Sequence, residues 1–112
     1  MTAQQTQQTL DAKFHALSDA TRRALVERLS HEPSSVKELA QPIPMSLPTV
    51  LKHLVVLENS GIVLSEKSGR VRTYKLAPNA FEDLERWVEE RKRSWHRAFD
   101  RLEQYLNDEE EP

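Results

Sequence analysis

The chain has 112 residues, enough for one domain with a modest core, and its 30% charged and 6% aromatic residues suit a helix-rich globular protein. The absence of cysteine excludes disulfides, thiolate metal sites, thiol nucleophiles and thiol redox sensing together. The formal net charge of −2 is a blunt guide to partners, because charge is segregated: from Lys37 to Lys75 six cations stand against three anions, a net of +3, while the C-terminus is acidic.

Residues 1–5 read as a frayed terminus. From about Gln7 to Ala16, Leu10, Phe14 and Leu17 recur at steps of four and three, the pattern of a short amphipathic helix. Ser18-Asp19 supplies capping chemistry for a second helix, Ala20 to about Leu29, with Ala20, Ala24, Leu25 and Leu29 as its inward face and Arg22, Arg23 and Arg28 outside. His31-Glu32-Pro33 breaks the pattern. Ser34 or Ser35 then caps a short helix, Val36 to about Ala40, and the prolines of Gln41-Pro42-Ile43-Pro44-Met45 prevent its continuation.

The stretch SLPTVLKHLVVLENS, residues 46–60, predicts the central helix. Ser46 caps it, Pro48 is tolerated in the first turn, and Gly61 ends it with a positive φ. Val50, Leu54 and Leu57, helped by Leu47 and Leu51, form the buried stripe, and Thr49, Lys52 and His53 point outward as hydrogen-bond donors suited to a polyanion. IVLSEK (62–67) and VRTYKL (71–76), joined by Ser68-Gly69-Arg70, form a two-stranded hairpin over 62–76 that carries Lys67, Arg70, Arg72 and Lys75.

Pro78-Asn79 opens a last helix over 78–107, with Phe81, Leu84, Val88, Trp95, Phe99, Leu102 and Leu106 on one stripe. Roughly 29 helical residues span about 43 Å, more than so small a domain covers alone. The stripe is therefore expected to pack across a two-fold axis against a second copy and the first helix, with Leu10, Phe14, Leu84, Val88, Trp95, Phe99 and Leu102 at a homodimer interface. Residues 108–112 read as an acidic, solvated tail. The expected architecture is mainly α with a small β-hairpin: one winged helix-turn-helix domain over 1–112, with about five helices and a two-stranded wing.

The segments HALSDATRRA (15–24), ELA (38–40), MSLPTVLKHL (45–54), LENSG (57–61) and GRVRTY (69–74) together resemble the ArsR-type winged helix-turn-helix repressors, in a branch without thiolate metal sites. The resemblance runs in order from about Phe14 to about Leu106. It implies a dimer formed by the first and last helices, and a bacterial repressor that often controls its own operon. By position, Ser46, Thr49, Lys52 and His53 match the family's recognition helix, and Arg70 and Arg72 its wing. Leu51 stands where relatives commonly have a small polar residue, which implies that one hydrogen bond to DNA is either absent or replaced by apolar contact with a thymine methyl. Pro44 stands where the turn often has glycine.

The favoured function is thus a sequence-specific transcriptional regulator that reads the major groove of double-stranded DNA with helix 46–60 and the backbone or minor groove with wing 62–76. Its DNA-binding residues would be Ser46, Thr49, Lys52, His53, Lys67, Arg70 and Arg72. A winged-helix protein-interaction module and a metal-responsive repressor stand as alternatives, although His15, His31, His53 and His96 are too scattered to suggest a metal site. No Gly-rich phosphate loop or nucleophile elbow suggests an enzyme, and no cofactor is expected. No run of eighteen apolar residues or signal peptide is present, so no membrane contact and a cytoplasmic location are expected. The operator, the regulated genes, the inducing signal and any effector are not legible in the sequence.

Overall fold

The computed structural model describes residues 2–110, and these fall into two compact units that meet at Phe81 and Glu82. The first contains α1 (Ala3–Ala16), α2 (Ala20–Leu29), β1 (Ser34–Ser35), α3 (Val36–Ala40), α4 (Leu47–Asn59), β2 (Val63–Ser68) and β3 (Val71–Leu76); the second is the helix α5 (Glu82–Glu110). Most of the boundaries follow from caps.

Helix α1 starts at Ala3, ahead of the expected Gln7, because Thr2 and Gln5 form a capping box. The Thr2 hydroxyl accepts from the Gln5 backbone N–H at 3.1 Å, and the Gln5 side chain accepts from the Thr2 N–H at 2.9 Å. Residues 3–5 are thus helical behind the Thr2 cap, where a frayed terminus was expected, while Met1 lies outside the described residues. Asp19 caps α2, accepting from the Arg22 N–H at 3.0 Å, and Ser35 and Glu38 form a second capping box on α3. Pro42 and Pro44 follow α3, and Met45 N–H donates back to Ile43 O at 2.8 Å. That tight connector delivers the chain to Ser46, the N-cap of α4.

The sheet has three strands in the order β1-β3-β2, all antiparallel, where a two-stranded hairpin was expected. Ser34 and Ser35 pair with Tyr74 and Thr73, so the two serines that precede α3 also cover the open edge of β3 and make it the central strand of the sheet. Gly69 takes φ +63 in a two-residue loop with Arg70, which keeps a negative φ; this is the glycine-first order that suits tight hairpins. Gly61 takes φ +87 just after the Ser60 cap of α4, the left-handed turn that ends the helix.

The core of the first unit gathers Ala16, Leu25, Leu29, Leu39, Val50, Leu54, Leu57, Ile62, Val63, Tyr74 and Ala80. Leu25 and Leu29 face inward in α2 as expected, but Ala20 and Ala24 are exposed. In α1 the buried positions are Ala16 and Lys13, with Phe14 41% exposed. The Lys13 ammonium donates to Ala80 O at 2.8 Å, which lets a lysine occupy a position that an apolar residue would otherwise fill.

Helix α5 begins at Glu82, later than Pro78-Asn79, because residues 77–81 form turns. It runs on to Glu110, so Asp108 to Glu110 of the expected acidic tail are helical, and residues 111 and 112 lie outside the described residues. Its apolar side chains stand well exposed: Trp95 at 65%, Phe99 at 50% and Leu102 at 54%. Trp95 and Phe99 lie in tilted contact with ring centroids 6.3 Å apart, and the Arg91 guanidinium covers the Trp87 ring at 5.3 Å.

Candidate nucleic-acid interface

Helix α4 rests on Val50, Leu54 and Leu57, all fully buried, and turns its opposite face outward. Lys52 lies on that outward face and is exposed. Ser46 and Thr49 are engaged locally: the Ser46 hydroxyl lies 2.9 Å from the Thr49 hydroxyl and accepts from the Thr49 backbone N–H at 3.4 Å. Ser46 is exposed and Thr49 half-buried. The structure corrects two expectations on this helix. Leu47 and Leu51 do not join the buried stripe but are 46% and 39% exposed, since Val50, Leu54 and Leu57 already fill the space beneath.

His53 is the second correction. It was expected on the outward face, yet it sits on the flank with an 18% exposed side chain, its Nδ1 3.2 Å from Arg22 Nη1. A guanidinium only donates, so Nδ1 accepts and the ring proton sits on Nε2. Asp19 Oδ2 is 3.8 Å from the same nitrogen, too far for a hydrogen bond. Arg22 was expected outside. Instead it joins three elements, with Nε donating to Ala16 O at 2.6 Å, Nη2 to His15 O at 3.2 Å and Nη1 to His53. Arg23 Nη1 adds a bond to Leu17 O at 2.8 Å. Both arginines thus cap the C-terminus of α1, where unpaired carbonyls attract cations. The signal was present in the sequence as two adjacent arginines one turn after a helix end.

The wing's charges follow from its register. Lys67 pairs directly with Arg72, which puts two cations on one face of the hairpin, an arrangement that repels unless an anion lies between or beside them. Arg72 Nη1 donates to Ser65 Oγ at 2.8 Å, and Ser65 Oγ in turn donates to Glu58 Oε2 at 3.1 Å, so the wing is tied to the last turn of α4. Arg70 stands exposed in the loop at the tip. Lys52, Lys67, Arg70 and Arg72 are therefore held on one compact unit as cations that reach solvent.

Two carboxyls near the helix starts are held below their ordinary values. For Asp19 the main cause is the Arg22 backbone N–H, reinforced by the Arg22 charge; for Glu38 it is the Ser35 N–H and then the Ser35 hydroxyl. Burial holds the Tyr74 hydroxyl above its ordinary value, with the Glu58 charge adding to it. Among the described residues no three His, Asp or Glu side chains gather into a metal-binding group, and no helix is long and apolar enough to cross a membrane.

Comparison with known proteins settles the family. The helix-turn-helix domain profile matches residues 17–66, from the end of α1 into β2. The chain is 39% identical over 99 residues to the HTH-type transcriptional regulator Rv2034 of Mycobacterium tuberculosis, an alignment that covers 88% of this chain and 90% of the relative. A crystal structure of the ArsR family transcriptional regulator RHA00566 superposes with a TM-score of 0.75 at 43% identity, covering 79% of this chain and 97% of that one. The chain belongs to the ArsR family of helix-turn-helix transcriptional regulators. More distantly, the transcriptional repressor SdpR of Bacillus subtilis is 25% identical over 75 residues, 67% of this chain and 83% of the relative.

This ArsR-family protein is thus a DNA-binding transcriptional regulator with a winged helix-turn-helix fold, as the sequence motifs implied. Family membership favours that reading over an interaction module that has lost DNA binding.

Proposed function

We propose that the regulator acts as a homodimer, each subunit laying α4 in the major groove of one half-site and its wing along the adjacent backbone or minor groove. Half-sites would lie about 34 Å apart, one turn of B-DNA. The observation that carries this reading is the Lys67–Arg72 pair: two cations in direct register on a wing tied to α4 favour an anionic partner beside that helix. Lys52 is the α4 side chain suited to a guanine edge or a phosphate, while Ser46 and Thr49 lie at the helix N-terminus, where phosphate is favoured. His53 serves the site from behind, by holding α4 against Arg22.

Dimerisation is supported by α5, whose exposed Trp95, Phe99 and Leu102 make an apolar stripe that a second copy would cover, with Val88 on the same helix and Leu10 and Phe14 from α1. Leu84, in the first turn of α5, is buried and offers little to a partner. Repression of its own or a neighbouring operon, from the cytoplasm and as a binding protein rather than an enzyme, accords with the family and with repressors such as SdpR among its relatives.

The test is the variant Lys52→Ala/Arg70→Ala/Arg72→Ala. It should sediment as the wild type does and lose affinity for duplex DNA at low salt; equal affinity would remove this surface from DNA recognition.

A further inference from the structure

The first two turns of α4 carry an apolar ridge where a DNA-reading helix ordinarily offers polar groups. Leu47 and Leu51 are 46% and 39% exposed, one turn apart, and Pro48 stands exposed between them. The hydroxyls of Ser46 and Thr49 are turned to each other, and that of Ser46 also accepts from the Thr49 backbone N–H. Lys52, adjacent to Leu51, is then the long polar side chain within these turns. A helix of this kind has few donors and acceptors with which to tell one base edge from another.

The major groove offers it an alternative. Thymine alone among the four bases presents a C5-methyl there, and apolar side chains read that methyl by burying it. We infer that Leu47 and Leu51 are specificity-determining residues that select thymine-bearing steps in each half-site through contact with the C5-methyl. The inference rests on α4 entering the major groove. It is favoured over docking of an apolar protein segment because the ridge is continuous with Lys52 on the same helix, and the wing tied to that helix adds Lys67 and Arg72. A polyanion with methyl groups in its groove matches both features.

The test begins with selection of a duplex by the full-length protein from a randomised pool. The thymines of the selected half-sites are then replaced by deoxyuridine, which lacks the methyl, or by 5-bromodeoxyuridine, which puts a group of similar size in its place. Affinity should fall roughly fourfold for each contacted methyl removed and return with bromine. In Leu47→Ala/Leu51→Ala the thymine-to-uracil ratio should collapse towards one, while Leu51→Met, which keeps apolar reach, should preserve it. Both leucines are well exposed, and an unchanged thermal melt would show that the double variant folds.

A selected duplex indifferent to uracil, or an unchanged ratio in the double variant, would overturn the inference and leave the major-groove reading intact. A pool from which no duplex is enriched would remove that reading and the inference with it.

Discussion

Arg22 holds His53 on the flank of α4: its Nη1 donates to His53 Nδ1 at 3.2 Å while its other nitrogens cap His15 and Ala16. One guanidinium therefore joins the end of α1, the start of α2 and the flank of α4. Arg22→Ala should lower unfolding stability by about 2 kcal/mol, measured by urea denaturation, because it takes the guanidinium donors from the half-buried Ala16 carbonyl and His53 Nδ1. Arg22→Lys should recover only part of the loss, since one ammonium lacks the planar fork that serves three acceptors. Full recovery by lysine would contradict this account.

Gly61 tests the end of α4. At φ +87 any side chain strains the backbone, whereas an added Cβ would meet only Lys13 Cε at 3.9 Å, an ordinary contact. Gly61→Ala should thus cost about 1 kcal/mol through conformation rather than clash. Calorimetry that finds the variant as stable as the wild type would show that the turn is not needed.

Acid should loosen the helix starts. Asp19 and Glu38 are held in the folded state below their ordinary values of 3.8 and 4.5, chiefly by backbone N–H donors. A carboxyl depressed in this way contributes its stability fully above the ordinary value and loses it as pH falls through the folded one. The melting temperature should therefore drop as pH is lowered past about 4.5, and the drop should be shallower in Asp19→Asn/Glu38→Gln. Both groups are exposed, so solvent screening keeps each contribution small.

The wing arginines should behave differently from each other. Arg70, exposed at the tip, should act through charge: Arg70→Ala should weaken binding evenly across sequences and reduce the salt slope by about one per subunit. Arg72 also holds Ser65 and, through it, Glu58, so Arg72→Ala should in addition change the exchange protection of the β2–β3 amides. Titration over a salt series, with hydrogen exchange on the free protein, separates the two.

The α5 stripe should govern assembly. Placing a charge at its centre, Phe99→Glu, should weaken the dimer roughly 100-fold or more, as equilibrium sedimentation would read it. A dimer of undiminished strength would locate the interface elsewhere.

How much of this was legible in sequence depended on whether the signal was local. Ser46, Asp19, Ser35 and Gly61 announced their caps because capping is written within four residues, and Gly69-Arg70 announced the hairpin for the same reason. Thr2-x-x-Gln5 carried the same kind of signal, outweighed in the reading by its position at a terminus. The partition of α4 was less legible. Apolar residues stand nearly all round that helix, so periodicity could not say that Val50 faces in while Leu47 and Leu51 face out. Tertiary hydrogen bonds left no pattern at all: Lys13 in the core and Ser34 paired with Tyr74 depend on residues 67 and 40 positions away along the chain.

The most direct test of the central claim is fluorescence anisotropy of the intact protein with a duplex selected from a randomised pool and with a scrambled duplex of equal composition, across a salt series with and without a chelator. The account predicts a preference for the selected duplex of about a thousandfold or more, with affinity that falls as salt rises and is unmoved by chelation. Equal affinity for the two duplexes would contradict sequence-specific reading by α4, and a preference abolished by the chelator would contradict a regulator that works without metal.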